Sequence, residues 1–312
     1  MVKVSIILPA YNAAETIGES IESILRQTWT DWELIVINDG SKDKTKDVIL
    51  GYTDERIRYI ENDGNKGLIY TLNRGLELAT GEYIARMDAD DISLPERLQK
   101  QVDYMDAHPK CAICGTWFKT FGENIEGEVV MLPIEDSECK QCFPIRPPFA
   151  HPAVMIRKSI GHFAYDPNYK DAEDYKLWID LMDKGEYHNI GEVLLHYRIS
   201  ATQISHEGNT HQDQMASKCR WLYIEHVLPR ALYEDLHRGI TADAIRKVRA
   251  VNQNPYLLNS LYLSQDHYGI RELWLYLTSG DLYRLGLNTA IRYLKRMIYK
   301  KAPYLLIGTK KQ

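Results

Sequence analysis

The chain lacks the two glycine signatures by which many α/β proteins hold phosphates. No Gly-x-Gly-x-x-Gly follows its first strand pattern, and no Gly-x-x-x-x-Gly-Lys-Ser/Thr occurs anywhere. Neither a dinucleotide fingerprint nor a P-loop is therefore available, which disfavours a nicotinamide-dependent oxidoreductase. Long apolar runs are also missing: the longest stop well short of the roughly 18 residues that a spanning helix needs. No charge dominates, since 38 Lys and Arg stand against 43 Asp and Glu, and that balance gives no footprint for nucleic acid. No basic leader or small-residue cleavage site precedes the strand pattern starting at Val2, so no signal peptide is expected and a cytoplasmic location follows.

Cysteine is sparse, at five residues, but four of them form two Cys-x-x-Cys pairs, Cys111/Cys114 and Cys139/Cys142. Thiolate pairs at this spacing can supply half of a tetrahedral zinc site. Against that, Cys111-Ala112-Ile113-Cys114-Gly115-Thr116-Trp117-Phe118 reads as an apolar strand, where residues three apart face opposite sides and would chelate only after bending. Buried free thiols in a reducing compartment are the expectation.

What is present is alternation. With 312 residues the chain can bury one large domain and a smaller appendage. Val2 to Leu8 is a β-branched run bounded by Pro9-Ala10-Tyr11-Asn12, which reads as a loop, and a helix with Ile17, Ile21, Ile24 and Leu25 on one face starts near Glu15. Trp32 to Ile37 is a second apolar strand, ending in Asn38-Asp39-Gly40-Ser41-Lys42-Asp43 before a helix from Lys44. Ile57 to Glu61 is a third, followed by Asn65-Lys66-Gly67 and a helix from Leu68 to Ala79. A fourth, Gly81 to Arg86, runs into Met87-Asp88-Ala89-Asp90-Asp91. Strand, loop and helix repeated in this way predict an α/β fold with a parallel sheet flanked by helices, whose ligands bind outside the carboxyl ends of the strands. Tyr11, Asp39, Lys66 and the Asp88 to Asp91 stretch should thus converge on one crevice.

Crowded carboxylates at a strand end repel one another unless a cation or donors offset them. Strand alternation would put Asp88 and Asp90 on one side and Asp91 on the other. A hard divalent ion bridging substrate phosphates needs one or two protein carboxylates, so Asp-Ala-Asp can do the work that the missing glycine loops cannot. An acidic turn leading into a capped helix is the plainer alternative.

Taken together, these motifs closely resemble the inverting glycosyltransferases of family 2, which have the GT-A fold. The match runs through Val4-Ser5-Ile6-Ile7-Leu8-Pro9-Ala10-Tyr11-Asn12, Asn38 to Thr45, Asn65-Lys66-Gly67, Leu72-Asn73-Arg74-Gly75, Gly81-Glu82-Tyr83-Ile84, Met87 to Asp91, His151-Pro152 and Glu173-Asp174, within residues 1–205. The resemblance implies a GT-A domain over 1–211, with a nucleotide-sugar half at 1–105 and an acceptor half at 106–211, and a helical region over 212–312. It also implies that Pro9, Tyr11 and Glu15 line the base and ribose pocket, that Asp39 accepts from the uracil imide, and that Lys66 helps there or at the phosphates. Asp88, with Ala89 beside it, would meet the ribose, and Asp90 would coordinate Mn²⁺ or Mg²⁺ on the diphosphate. Asn38 departs from the family, which often has an aspartate there.

In the acceptor half, Pro95 to Met105 reads as a helix and His151 to Ile156 as a strand beside the cleft. His151 has three open readings: contact with donor, contact with acceptor, or a brace for its loop. In Lys170 to Trp178, Asp171 suits an N-cap, and Asp174, Leu177, Trp178 and Leu181 share a helical face. An acid in this first turn serves for capping alone; the resemblance instead makes Asp174 the catalytic base, with Glu173 and Trp178 on the acceptor side of the cleft. Ser200 stands where many relatives have a histidine, so a histidine metal ligand would come from elsewhere, with His206 and His211 nearest. Leu287, Ile291, Leu294 and Ile298 form an apolar stripe flanked by Arg292, Lys295, Arg296 and Lys300, which suits either an anionic membrane surface on the inner face of the cytoplasmic membrane or packing on the catalytic domain. The resemblance thus implies a metal-dependent inverting transferase acting from a UDP-linked sugar on a saccharide or lipid-linked saccharide. A catalytically silent GT-A binding or scaffold protein is the alternative.

Overall fold

A computed structural model describes residues 2–123, 127–199, 210–239, 242–252, 254, 256, 257 and 261. Its first half alternates as expected: β1 (Val4–Ala10), α1 (Ile17–Leu25), β2 (Trp32–Asn38), α2 (Thr45–Leu50), β3 (Ile57–Glu61), α3 (Leu68–Leu78) and β4 (Tyr83–Arg86). There follow β5 (Ile92–Ser93), α4 (Arg97–Ala107), β6 (Cys111–Phe121), β7 (Val129–Val130), α5 (Asp136–Cys142), β8 (Met155–Arg157), α6 (Glu173–Asp180), β9 (Glu186–Arg198), α7 (Thr210–Val227), α8 (Arg230–Arg238) and α9 (Ala242–Val251). One sheet joins the strands in the order β3-β2-β1-β4-β8-β6-β9-β5, with β7 paired to β6. Its long ladders, β1 with β2 and β6 with β9, are parallel, and the antiparallel ones are short.

β1 and β2 are buried along their whole length, as befits central parallel strands covered on both faces. Helices α1 and α4 lay Ile17, Ile21, Ile24, Leu98, Val102 and Met105 into the same apolar core as Ile6, Leu8, Leu34 and Val36. Because β2 and β3 lie on one side of β1 and β4 on the other, the chain changes direction at β1. The loop after β4 runs beside the one after β1 and reaches α1, where Ser20 Oγ donates to the Asp91 carbonyl at 2.7 Å, so both lie at the carboxyl ends of neighbouring strands, where open α/β sheets take ligands.

Several boundaries differ from the sequence expectation. Pro9 and Ala10 continue β1 instead of opening a loop, since proline's fixed φ suits an extended chain and costs one ladder donor. The first helix starts at Ile17, the fourth at Arg97. His151-Pro152-Ala153 form a 3-10 turn, and the strand is confined to Met155–Arg157; proline in a helix's first turn lacks only a donor that has no partner there. The alternation broken by this turn is held from α4, where the buried Arg97 donates from Nη2 to the Arg86 carbonyl at 2.8 Å and Gln101 Nε2 donates to the carbonyls of Cys114 (2.7 Å) and Ala153 (2.9 Å).

All five cysteines are buried, and none is in a disulfide. Cys111 and Cys114 turn their sulfurs to the carbonyls of Ile113 and Gly115, and burial pushes the Cys111 and Cys142 thiols up to about 12.

The chain divides into two compact units, residues 1–140 with 147–215 and residues 141–146 with 216–312. Within the second, Asn254 Nδ2 donates to the Gln141 carbonyl and to Tyr223 Oη, both at 3.0 Å, which ties the short 141–146 segment to α7. No helix among the described residues is long and apolar enough to cross a membrane. The basic stripe from Leu287 to Lys300 and the candidate ligand His206 lie outside the described residues.

Candidate active site

At the carboxyl ends of β1, β2 and β3, three loops are laced together by side chains of the second. The amide of Asn12, in a left-handed conformation at φ 49°, donates to Ser41 Oγ, Ala13 N donates to Thr45 Oγ1, and Lys42 N donates to Asn12 Oδ1. Asp39, buried at the end of β2, accepts from Asn62 Nδ2 (2.7 Å) and Lys66 N (2.9 Å) at Oδ1 and from Gly67 N (2.8 Å) at Oδ2. Three donors thus occupy three of the about four acceptor positions of a carboxylate. Asp39 is the anchor of the Asn65-Lys66-Gly67 loop and keeps one position on Oδ2 for a further donor. Pro9 is buried in β1, while Tyr11, Glu15 and Lys66 are exposed around these loops.

The acidic stretch follows β4 directly, but strand alternation does not govern it, because β4 ends at Arg86 and Ala89-Asp90 form a turn. Asp91 is therefore not directed away from its neighbours, contrary to the alternation argument. One carboxylate oxygen from each of Asp88, Asp90 and Asp91 lies within 4.8 Å of the others, and among the described residues no other such group is found. Ala89 packs partly against the core beneath. Asp91 is buried; its Oδ1 accepts from Arg198 N at 2.8 Å, and its Oδ2 has no hydrogen-bond partner. Burial first and then Asp88 push the Asp90 carboxyl up to about 6, and burial with Asp88 and Asp90 drives Asp91 well above the usual range.

Two arginines hold this stretch, and neither was singled out from the sequence. Arg86, the last residue of β4 and buried, pairs through Nη1 with Asp88. Burial works against its charge, but Asp88, Tyr165 and Asp91 more than offset that. Arg198, at the end of β9, donates from Nε to the Asp90 carbonyl at 2.7 Å and from Nη2 to Glu19. A signal for the first was in the sequence: an arginine closing an otherwise apolar strand, directly before three acids, needs a buried partner.

On the other side of the site, Glu173 and Asp174 open α6. Asp171 does not cap this helix; Ala172 holds that place, and Asp171 sits in the left-handed region at φ 71° with Oδ2 2.8 Å from His211 Nδ1. That backbone turn carries its carboxylate away from the first-turn amides. Asp174 Oδ1 accepts from Tyr175 N at 2.7 Å, and its carboxyl is raised by burial while Tyr175 N and Arg86 pull it back. Glu173 is pushed up to about 7 by burial and then by Asp174. His151 Nε2 lies 2.8 Å from Tyr165 Oη, and burial, then Arg86, hold the imidazole neutral. The brace is the one of its three readings that this contact supports. Trp178 is fully buried, with its ring edge-on to His151 and Phe149, so it supports the cleft from below instead of lining it.

The carboxylates of Asp88, Asp90, Asp91, Glu173 and Asp174 exceed the positive charge of Arg86 and Arg198. Hard oxygen donors clustered within 4.8 Å, with one buried oxygen unpartnered, fit a hard divalent cation.

The sequence model of glycosyl transferase family 2 matches residues 5–161. A Haemophilus influenzae protein named as an uncharacterized glycosyltransferase is 30% identical over 95% of this chain and 97% of its own length. An Escherichia coli protein, the UDP-Glc:alpha-D-GlcNAc-diphosphoundecaprenol beta-1,3-glucosyltransferase WfgD, is 32% identical over 65% of this chain and 79% of its own. The fold is that of Staphylococcus aureus TarS residues 1–349, solved with UDP-GlcNAc, with a TM-score of 0.64 at 16% identity, covering 96% of this chain and 92% of that one. With a GT-A sheet, an acidic stretch at the carboxyl end of β4 and matches over most of its length, the chain belongs to glycosyl transferase family 2.

Proposed function

We propose that this chain moves a hexose or N-acetylhexosamine from a UDP-linked donor to a hydroxyl of a saccharide or lipid-linked saccharide, with inversion, in surface polysaccharide assembly. The observation that carries the reading is the cluster of Asp88, Asp90 and Asp91 at the end of β4, held by Arg86, whose charge also acts on Asp174 at the start of α6. The UDP-sugar and the diphosphoundecaprenol in the name of the Escherichia coli relative support the donor and acceptor classes.

In this reading the spare position on Asp39 Oδ2 takes the uracil imide N–H, and Tyr11 offers its exposed ring to the base, with Pro9, Glu15 and Lys66 completing that side. Asp88 meets the ribose. Asp90 and Asp91 would hold Mn²⁺ or Mg²⁺, which as a Lewis acid stabilises the charge of the departing diphosphate. Asp174 accepts the proton from the acceptor hydroxyl as its oxygen attacks the anomeric carbon opposite the leaving group. Burial raises that carboxyl, and the Tyr175 amide and then the Arg86 charge pull it back toward the ionised form that a base needs. One base and one in-line displacement convert an α-linked donor into a β-glycoside. Glu173 and His151 stand on the acceptor side, His151 through its bond to Tyr165.

The test is a screen of UDP-sugars for Mn²⁺-dependent UDP release, with the anomeric configuration of the product read by NMR. A retained configuration would sink the mechanism. Donor binding without any turnover would leave a scaffold protein instead.

A further inference from the structure

Asn73, on α3, has no part in the roles given above, yet it clamps one residue of the acceptor side from both directions. Its Nδ2 donates to the Tyr165 carbonyl at 2.9 Å, and its Oδ1 accepts from Tyr165 N at 2.8 Å. A side-chain amide that supplies one donor and one acceptor to a single backbone unit acts as a strand neighbour would. Towards the donor, α3 begins directly after Gly67, whose amide is held by Asp39 Oδ2, and Thr71 Oγ1 on the same helix accepts from Asn62 Nδ2, another partner of Asp39. Towards the acceptor, Tyr165 is buried and its hydroxyl reaches His151.

From Tyr165 the chain reaches α6 without slack. Tyr169 N donates to the Asp166 carbonyl, Ala172 N to the Tyr169 carbonyl and Lys176 N to the Ala172 carbonyl, each at 3.0 or 3.1 Å, while Asp166 Oδ1 accepts from Asn168 N at 2.9 Å. This run of hydrogen-bonded turns begins at Asp166, the residue after Tyr165, and ends in the first turn of α6, which carries Asp174.

We propose that Asn73 is a positioning residue that couples nucleotide occupancy at the Asp39 to Gly67 loop to the placement of the segment carrying Asp174. It rests on the proposed reading of the Asp39 to Gly67 loop as the nucleotide side, which calorimetry with UDP checks separately, and on Asp174 as base only for its kinetic consequence.

The experiment follows amide hydrogen exchange of peptides spanning 161–180 in the whole chain, with and without UDP and Mn²⁺, in the native protein and in Asn73→Ala and Asn73→Asp. The aspartate is nearly isosteric but cannot donate to the Tyr165 carbonyl. UDP with Mn²⁺ should slow exchange in this segment by about threefold or more in the native protein. In both variants UDP affinity by calorimetry should stay within about twofold and that slowing should vanish, because the link is cut and the donor loop is not. Equal UDP-dependent slowing in native protein and variants would overturn the proposal, as would no slowing in the native protein. A merely structural role would raise exchange with and without UDP alike and leave the UDP-dependent difference in place. Asp174→Asn, assayed beside them, separates the two ideas: retained transfer there removes the base, whatever Asn73 does.

Discussion

At the scale of single residues, the site depends on where buried charge is matched. Asp174 is the group assigned to proton transfer, so Asp174→Asn should lower transfer by about 10²–10⁴-fold and leave Mn²⁺-dependent UDP binding unchanged, as checked by product formation and calorimetry. Asp90→Asn should abolish transfer under limiting Mn²⁺ while acceptor binding persists; a near-native rate would remove Asp90 from the metal site. Arg86 is the buried cation common to both acid groups, and replacing it with methionine leaves Asp91 buried without that compensation. Arg86→Met should cost on the order of 3 kcal/mol in urea unfolding. Asp90 was legible in the sequence as a carboxylate in a known motif. Arg86 was only half legible: an arginine ending an apolar strand signals a buried partner, but which partner is a spatial fact.

At the scale of elements, the donor side is a set of loops whose backbones touch. Gly40 has φ 69°, and a Cβ built there would stand 2.5 Å from the Gly64 carbonyl carbon and 2.8 Å from Asn65 N, so the loops after β2 and β3 meet there without room for a side chain. Gly40→Ala therefore combines a left-handed backbone with a clash against main chain, which cannot rotate away. It should cost about 1–3 kcal/mol of stability in thermal or urea unfolding and weaken UDP binding through the displaced Asn65-Lys66-Gly67 loop. Periodicity placed β1 to β4 and α1 to α3 in the right order, most securely β1 and β2, which are buried throughout, and α1 and α3, which are one-sided. It misplaced His151-Pro152-Ala153 as strand, since a short apolar run carries no period that separates a 3-10 turn from a strand. Asp171 failed as a cap for a related reason: a side chain's reach to the first-turn amides depends on a φ that the residue type does not fix.

At the scale of the whole molecule, the acid groups make stability depend on pH and metal together. Folded Glu173 and Asp90 titrate near 7 and 6 against ordinary values of 4.5 and 3.8, so the folded chain binds more protons than the unfolded one in between. Stability of the metal-free protein should therefore fall as pH rises from about 5 to about 7.5. Glu33, held down to about 2 by Ser5, Thr80 and Arg58 against its burial, works the other way and below this window: its contribution is complete above about 4.5 and is lost in strong acid. The proposed Mn²⁺ site requires a deprotonated cluster, so Mn²⁺ should raise the melting temperature more at about pH 7.5 than at about pH 5. Scanning calorimetry at both values, with and without Mn²⁺, checks this; an equal shift at both would contradict the titration of the cluster.

By itself the sequence determined the alternation of strand and helix, the parallel strands that follow from it, and the family, because these rest on local periodicity and on motifs whose order survives without coordinates. Asp88, Asp90 and Asp174 were nameable on the same ground. Tertiary structure alone decided which groups share a charge and a clamp: Asp91 joining its neighbours, Arg86 buried against Asp88, Trp178 beneath the cleft, His151 on Tyr165, and Asn73 gripping a residue far along the chain. Electrostatic and hydrogen-bonding energies fall with distance in space, and distance in space is set by how the sheet folds residues from remote positions against one another.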